Sequence, residues 1–143
     1  MNVLLDTCAV LALARGELPR GAAAALRRAG EAWVSVVSAW EVAIKADAGK
    51  LRLKGTVEEW FQGLVERYDL RDVPLDVRTA CGAAALPPVH RDPFDRVIVA
   101  LALAHGLAVL TSDENIASYP GGKTVWGCVA GVPPRTAPPT GRS

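Results

Sequence analysis

Asp92 to Asp113, DPFDRVIVALALAHGLAVLTSD, holds in one run a helix start, an apolar helix, a helix stop, a strand and an acidic end. Asp92 has the side chain of an N-cap, and Pro93 occupies the first helical position, where its missing N–H costs nothing. Asp95 follows at the position where a capping box carries its acid. Arg96 to Ala104 then reads as helix. Because Val97 to Ala104 has no polar face, that helix is expected to be covered on most sides, as in a layered domain. His105 lies in the last turn and Gly106 supplies the left-handed stop. Leu107 to Leu110 suits a short buried strand that delivers Thr111, Ser112 and Asp113 just past its end.

The same alternation of strand and helix runs outward from this stretch. Asn2 to Leu5 is a strand candidate that stops at Asp6, and Thr7 to Ala14 continues as a helix ended by Gly16. Pro19 to Ala29 reads as a second helix with Gly30 as its stop, and Trp33 to Val36 as a second strand. Ser38 is positioned to cap a helix running through Glu41 and Lys45 to Gly49, with Ser38 and Glu41 in the S-x-x-E pattern. TVEEWFQGLVERY, from Thr56, sets Val57, Trp60, Phe61, Leu64 and Val65 at helical spacing. Leu70 to Leu75 holds a third strand weakened by Pro74, Asp76 caps a small-residue helix through Ala85, and Lys123 to Trp126 fits a last strand. From Gly127 onward the Gly- and Pro-rich tail is expected to be extended and mobile. The pattern specifies an α/β domain over residues 1–126, with a mostly parallel central sheet flanked by helices.

A chain of 143 residues, half of them apolar, has room for one core and not for two. Sixteen basic and fifteen acidic residues leave a net charge of +1, so no bulk basic field advertises nucleic acid, and any such contact must be local. Cys8, Cys81 and Cys128 form no C-x-x-C pair, which fits free thiols in a reducing cytosol better than a disulfide scaffold or a zinc site. The apolar N-terminus lacks a basic n-region and is interrupted by Asp6, so it reads as a first strand rather than a signal peptide. No segment approaches the roughly 20 apolar residues of a membrane span.

The acids carry the chemistry. Crossover helices run antiparallel to parallel strands, so a residue just past a strand and a residue early in a helix both lie at the sheet's carboxyl edge, where ligands bind. Asp6 and Asp113 qualify as strand tips, and Glu41 and Asp95 as early helical positions. Clustered carboxylates repel unless a cation compensates, and an oxygen-only donor set points to Mg2+ or Mn2+. Such an ion suits phosphodiester hydrolysis by a metal-activated water. Thr7, Thr111 or Ser112 could orient that water, while Asp92 is weighted toward capping with a secondary site role. Arg91 and Arg96 flank the acids and are candidates for holding phosphates. His90 and His105 are read as a loop residue and a helix-end cation, neither needed as a metal ligand.

LLDTCAVLALA at the start, VSAWEVAIKADAGKL around Glu41, DPFDRVIVALALAHGLAVLTSD and the final TVW strand together resemble a PIN-domain protein, specifically a VapC-type toxin ribonuclease of a type II toxin–antitoxin system. The likeness runs from about Met1 to Trp126. It implies a PIN-like three-layer fold and an acidic quartet of Asp6, Glu41, Asp95 and Asp113. Asp6 and Asp95 would be the direct metal ligands, with Glu41 and Asp113 as further ones. It also implies metal-dependent endoribonuclease activity, a cytoplasmic location, a homodimer, and inhibition by a cognate VapB-type antitoxin that fills the groove beside the active site. Two other classes compete. A receiver-like phosphoacceptor domain also carries acids at this edge but needs one convincing acid at the end of its third strand. A catalytically silent module would bind metal or a basic partner without turnover. A haloacid-dehalogenase-type phosphatase is disfavoured because Asp6-Thr7-Cys8 lacks the second Asp of D-x-D.

Overall fold

The computed structural model describes residues 1–127. The chain alternates β1 (Val3–Leu5), α1 (Thr7–Arg15), α2 (Arg20–Arg28), β2 (Ala32–Ser35), α3 (Val36–Asp47), α4 (Val57–Arg67) and β3 (Leu70–Val73). It continues with α5 (Val77–Ala85), α6 (Pro93–His105), β4 (Ala108–Leu110), α7 (Glu114–Ala117) and β5 (Lys123–Val125). The strands form one sheet in the order β3-β2-β1-β4-β5, and every pairing is parallel.

Strand alternation builds the three layers. Val3, Leu5, Ala32, Val34, Ala108 and Leu110 point to one face, where Ala9, Val10 and Leu13 of α1, Ala25 of α2 and Phe61 and Leu64 of α4 cover them. Leu4, Trp33 and Val109 point to the other, against Val37 of α3, Ile98, Val99 and Leu101 of α6 and Ile116 of α7. Leu4, Leu5, Ile98, Leu101 and Leu110 are almost wholly withdrawn from solvent, each worth roughly 1.5–3 kcal/mol of apolar burial. The expectation of a covered α6 holds for Ile98 to Ala102, but the helix emerges at its end, where Leu103 is exposed.

Several boundaries differ from the sequence reading for local reasons. β3 ends at Val73 because Pro74 has no N–H with which to extend the ladder. Gly30 does not terminate α2, which is capped by Ala29; a Cβ at Gly30 would stand 3.0 Å from Asn2 Oδ1, so close approach is what the position requires. Gly106 does stop α6, at φ 65°. The tail expected from Gly127 falls, from residue 128 on, outside the described residues. No helix of the described residues is long and apolar enough to cross a membrane.

Candidate active site

The chain builds the sheet to one side of β1 with β2 and β3 before placing β4 and β5 on the other side, so the carboxyl ends of β1 and β4 border a topological switch point. Asp6 and Thr111 stand there, immediately beyond the paired Leu5 and Leu110. The Asp6 N–H donates to the Leu110 carbonyl at 3.3 Å. Asp6 is buried and caps α1, accepting from the Ala9 N–H at 2.8 Å, and its other carboxylate oxygen accepts the Thr111 hydroxyl. Burial pushes the Asp6 carboxyl up to about 6; its bonds to Thr111 and Ala9 pull down, while Asp113 and Glu41 push up. Thr111 Oγ1 also accepts the Asp113 N–H at 2.9 Å, and Asp113 caps α7 by accepting from the Asn115 N–H at 2.8 Å. Asp113 therefore fills both the turn role and the place at the strand tip that its position suggests.

Glu41 arrives differently from the expectation. β2 runs into α3 without a loop, so Ser35, not Ser38, is the cap, accepting from the Val37 N–H at 3.1 Å. The expected Ser38 cap and its S-x-x-E pairing do not form, and Glu41 sits in the second turn. There Thr7 donates its hydroxyl to Glu41 Oε1 at 2.6 Å and Lys45 Nζ approaches Oε2 at 3.2 Å. The fully buried Ser38 Oγ lies 3.1 Å from the same Thr7 hydroxyl. Thr7 thus orients a carboxylate of the protein.

At the start of α6, Asp92 accepts from the Phe94 N–H at 2.9 Å and the Asp95 N–H at 3.4 Å. Only this half of the capping box forms, since the Asp95 carboxylate turns instead toward His90, 3.5 Å from its Nε2. Burial pushes Asp95 up to about 8, reinforced in order by the charges of Asp92, Asp113, Glu41 and Asp6. The Arg96 guanidinium, expected from the sequence as a candidate for holding phosphate, is turned to the carbonyls of Ala83, Ala84, Leu86, Pro87 and His90 and to the Tyr119 hydroxyl. The end of α5 and the following loop leave carbonyls with no partner in the helix, and a planar fork of donors satisfies several of them at once. Arg91 remains exposed.

A cleft of about 250 Å³ results, lined by Asp6, Thr7, Glu41, Asp92, Asp95 and Asp113, with Cys8 and Lys45 also on its wall. All four acids of the expected quartet meet in it, together with Asp92. The donor set is almost entirely carboxylate oxygen and two of its members are driven toward protonation, so a divalent cation fits both its chemistry and its charge. His90, read from the sequence as a loop residue not needed as a metal ligand, stands beside the acids; ligand atoms of His90, Asp92 and Asp95 lie within 4.8 Å of one another. Its one signal was its place two residues ahead of the Asp92-Pro93 helix start. Cys8 and Cys81 are free thiols, as expected, and Cys128 lies outside the described residues.

Comparison with known proteins agrees with this architecture. The chain is 35% identical over 112 residues to Ribonuclease VapC22 of Mycobacterium tuberculosis (strain ATCC 25618 / H37Rv), covering 76% of this chain and 85% of the relative. Its fold resembles a toxin–antitoxin complex from Klebsiella pneumoniae, with TM-score 0.62, 21% identity and coverage of 89% of this chain and 98% of the other. It also resembles VapBC2 from Rickettsia felis, solved bound to a DNA fragment from their promoter, with TM-score 0.64, 13% identity and coverage of 87% and 97%. The PIN domain family model matches residues 3–122, a span that contains every acid of the cleft, and the chain belongs to that family.

Proposed function

We propose that this protein is the toxin of a type II toxin–antitoxin pair, a divalent-metal-dependent endoribonuclease that hydrolyses RNA phosphodiesters in the acidic cleft. The observation that carries this reading is the meeting of Asp6, Glu41, Asp95 and Asp113, from four separate parts of the chain, in one small cleft with more negative charge than it can hold alone. Asp6 and Asp95 would hold a Mg2+ or Mn2+ ion, with Glu41 and Asp113 as further ligands. When bound, the ion supplies positive charge against a phosphate and makes water more acidic. The chain's own part is orientation. Thr111 and the Ala9 N–H fix both oxygens of Asp6, and Thr7 and Lys45 grip Glu41 from two sides, so its carboxylate is set to order a water. A receiver-like reading finds no support, because β3 is an edge strand and ends at Val73-Pro74 rather than at an acid.

The likeness to the VapBC fold supports a cognate VapB-type antitoxin as partner. Its seat would be the groove of about 360 Å³ between α3 and α4, walled by Val36, Ala39, Trp40, Val57 and Phe61. Trp40 is 60% exposed there and packs edge-on against Phe94, 5.2 Å away at the start of α6, so the groove adjoins the acids. A homodimer and a cytoplasmic location complete the proposal.

The deciding experiment is cleavage of RNA by the purified protein with added Mg2+ or Mn2+. EDTA should stop it, and Asp6→Asn or Asp95→Asn should abolish it while the circular dichroism stays unchanged. Cleavage that survives chelation and both substitutions would overturn the assignment.

A further inference from the structure

We propose that His90 is a nitrogen ligand of the cleft's cation, acting with Asp92 and Asp95, and that it biases the site toward Mn2+ over Mg2+. The inference rests on the reading above that the cleft binds a divalent ion, and extends it to a residue outside the acidic quartet. His90 Nε2 lies 3.5 Å from Asp95 Oδ2, and ligand atoms of His90, Asp92 and Asp95 fall within 4.8 Å of one another, a spacing one ion can span. The imidazole is part-exposed, 33% of its surface being open, so an ion can reach it without unfolding the loop.

The backbone beneath it is held as a ligand's should be. The His90 carbonyl accepts from Arg96 at 3.2 Å and from the Tyr119 hydroxyl at 3.1 Å, and the same Arg96 nitrogen bonds the Pro87 carbonyl at 3.1 Å. Arg96 thus ties the loop to the helix whose first turn carries Asp95, fixing imidazole and carboxylate relative to each other. Among the described residues Asp95 has no second basic side chain paired with it: Lys45 pairs with Glu41, and Arg96 bonds carbonyls and the Tyr119 hydroxyl. Mg2+ favours oxygen ligands and releases its waters reluctantly, whereas first-row transition ions accept imidazole. One nitrogen on the rim of an otherwise carboxylate site therefore discriminates between the two.

The test uses the full chain without a histidine tag, titrated with Mn2+ alone and followed by electron paramagnetic resonance. The chain has two histidines, and His105 packs at a tilt against Trp33 at the far end of α6, so nitrogen coupling to the ion would report His90. Pulsed spectra of the wild type should show a ¹⁴N coupling that disappears in His90→Gln, and Mn2+ affinity should fall at least about tenfold while Mg2+ affinity, read by competition, changes far less. Mn2+ bound without nitrogen coupling, at an affinity and Mn2+/Mg2+ ratio that His90→Gln leaves unchanged, would overturn the role of His90 and leave the metal-dependent nuclease standing. Failure of the wild type to bind either ion would overturn both. The wild-type spectrum decides the point even if the variant proves unstable.

Discussion

Thr111 donates its hydroxyl to the buried carboxylate of Asp6, joining the ends of β1 and β4 across 105 positions of sequence. That bond is one of the few influences that lower an Asp6 carboxyl which burial raises to about 6. Thr111→Val removes it, so Asp6 should protonate at still higher pH and compete less well for a cation near neutrality. Metal-dependent RNA cleavage should fall roughly 10–100-fold at pH 6–7 and recover partly toward pH 8.5. Thr111→Ser should keep most activity. Profiles of rate against pH that run parallel for wild type and Thr111→Val would contradict the linkage.

Asp95 gives a stability prediction of opposite sign to the usual acid. Its carboxyl is raised to about 8 from 3.8, so between those values the folded metal-free protein binds a proton that the unfolded chain does not. The contribution of Asp95 is therefore most favourable below about pH 4 and is lost as pH rises toward 8. Asp95→Asn should raise the Tm of metal-free protein at pH 8 by several degrees, about 3 °C or more, and by much less at pH 5. Saturating Mn2+ should cancel the advantage, because only the wild type regains stability through its ligand. Thermal melts at the two pH values, with and without the ion, measure this directly.

The elements of the sheet and the meeting of Asp6, Glu41, Asp95 and Asp113 were legible because each depends on local rules: strand ends, helix starts and the antiparallel run of crossover helices. Ser35 displaced Ser38 as the cap because α3 begins directly on β2, a junction that sequence periodicity cannot see. The inward turn of Arg96 was not legible for a different reason. Nothing local reveals that the carbonyls of residues 83–90 fold back over α6, and this tertiary return makes Arg96 a clamp on the loop. The place of His90 beside Asp95 lies beyond local rules for the same reason, since that clamp holds its backbone.

Thr7 and Glu41 form a second positioning pair, at 2.6 Å. Thr7→Val keeps the shape and deletes the donor, leaving Glu41 held only by Lys45. Catalysis should drop about tenfold or more with little change in folding, and Thr7→Ser should restore most of the rate. Wild-type activity in Thr7→Val, with the loss confined to Thr7→Ser, would show that the methyl group, not the hydroxyl, matters.

Arg96→Lys tests the clamp. A lysine brings three donors and no plane, and it cannot reach five carbonyls and a phenol at once. The variant should lose about 2–4 kcal/mol in urea unfolding, and the loop carrying His90 should exchange its amide hydrogens faster. Arg91→Ala, in the loop just before α6 and exposed, should stay within about 0.5 kcal/mol of wild type. If both substitutions cost the same, the inward bonds of Arg96 contribute little.

Trp40 separates partner binding from chemistry. Its ring lies largely open in the groove between α3 and α4, outside the lining of the acidic cleft, yet abuts Phe94 at the helix start that bears Asp95. A large exposed aromatic in an apolar groove is the kind of anchor that dominates a protein interface. Trp40→Glu places a charge where an apolar antitoxin side chain would sit, and should weaken antitoxin binding by about 2 kcal/mol or more, roughly thirtyfold. RNA cleavage by the free toxin should remain within about twofold of wild type, so the variant would resist neutralisation while staying active. Calorimetry with the cognate antitoxin, paired with cleavage assays, checks both halves. Undiminished antitoxin affinity would place the interface elsewhere on the molecule.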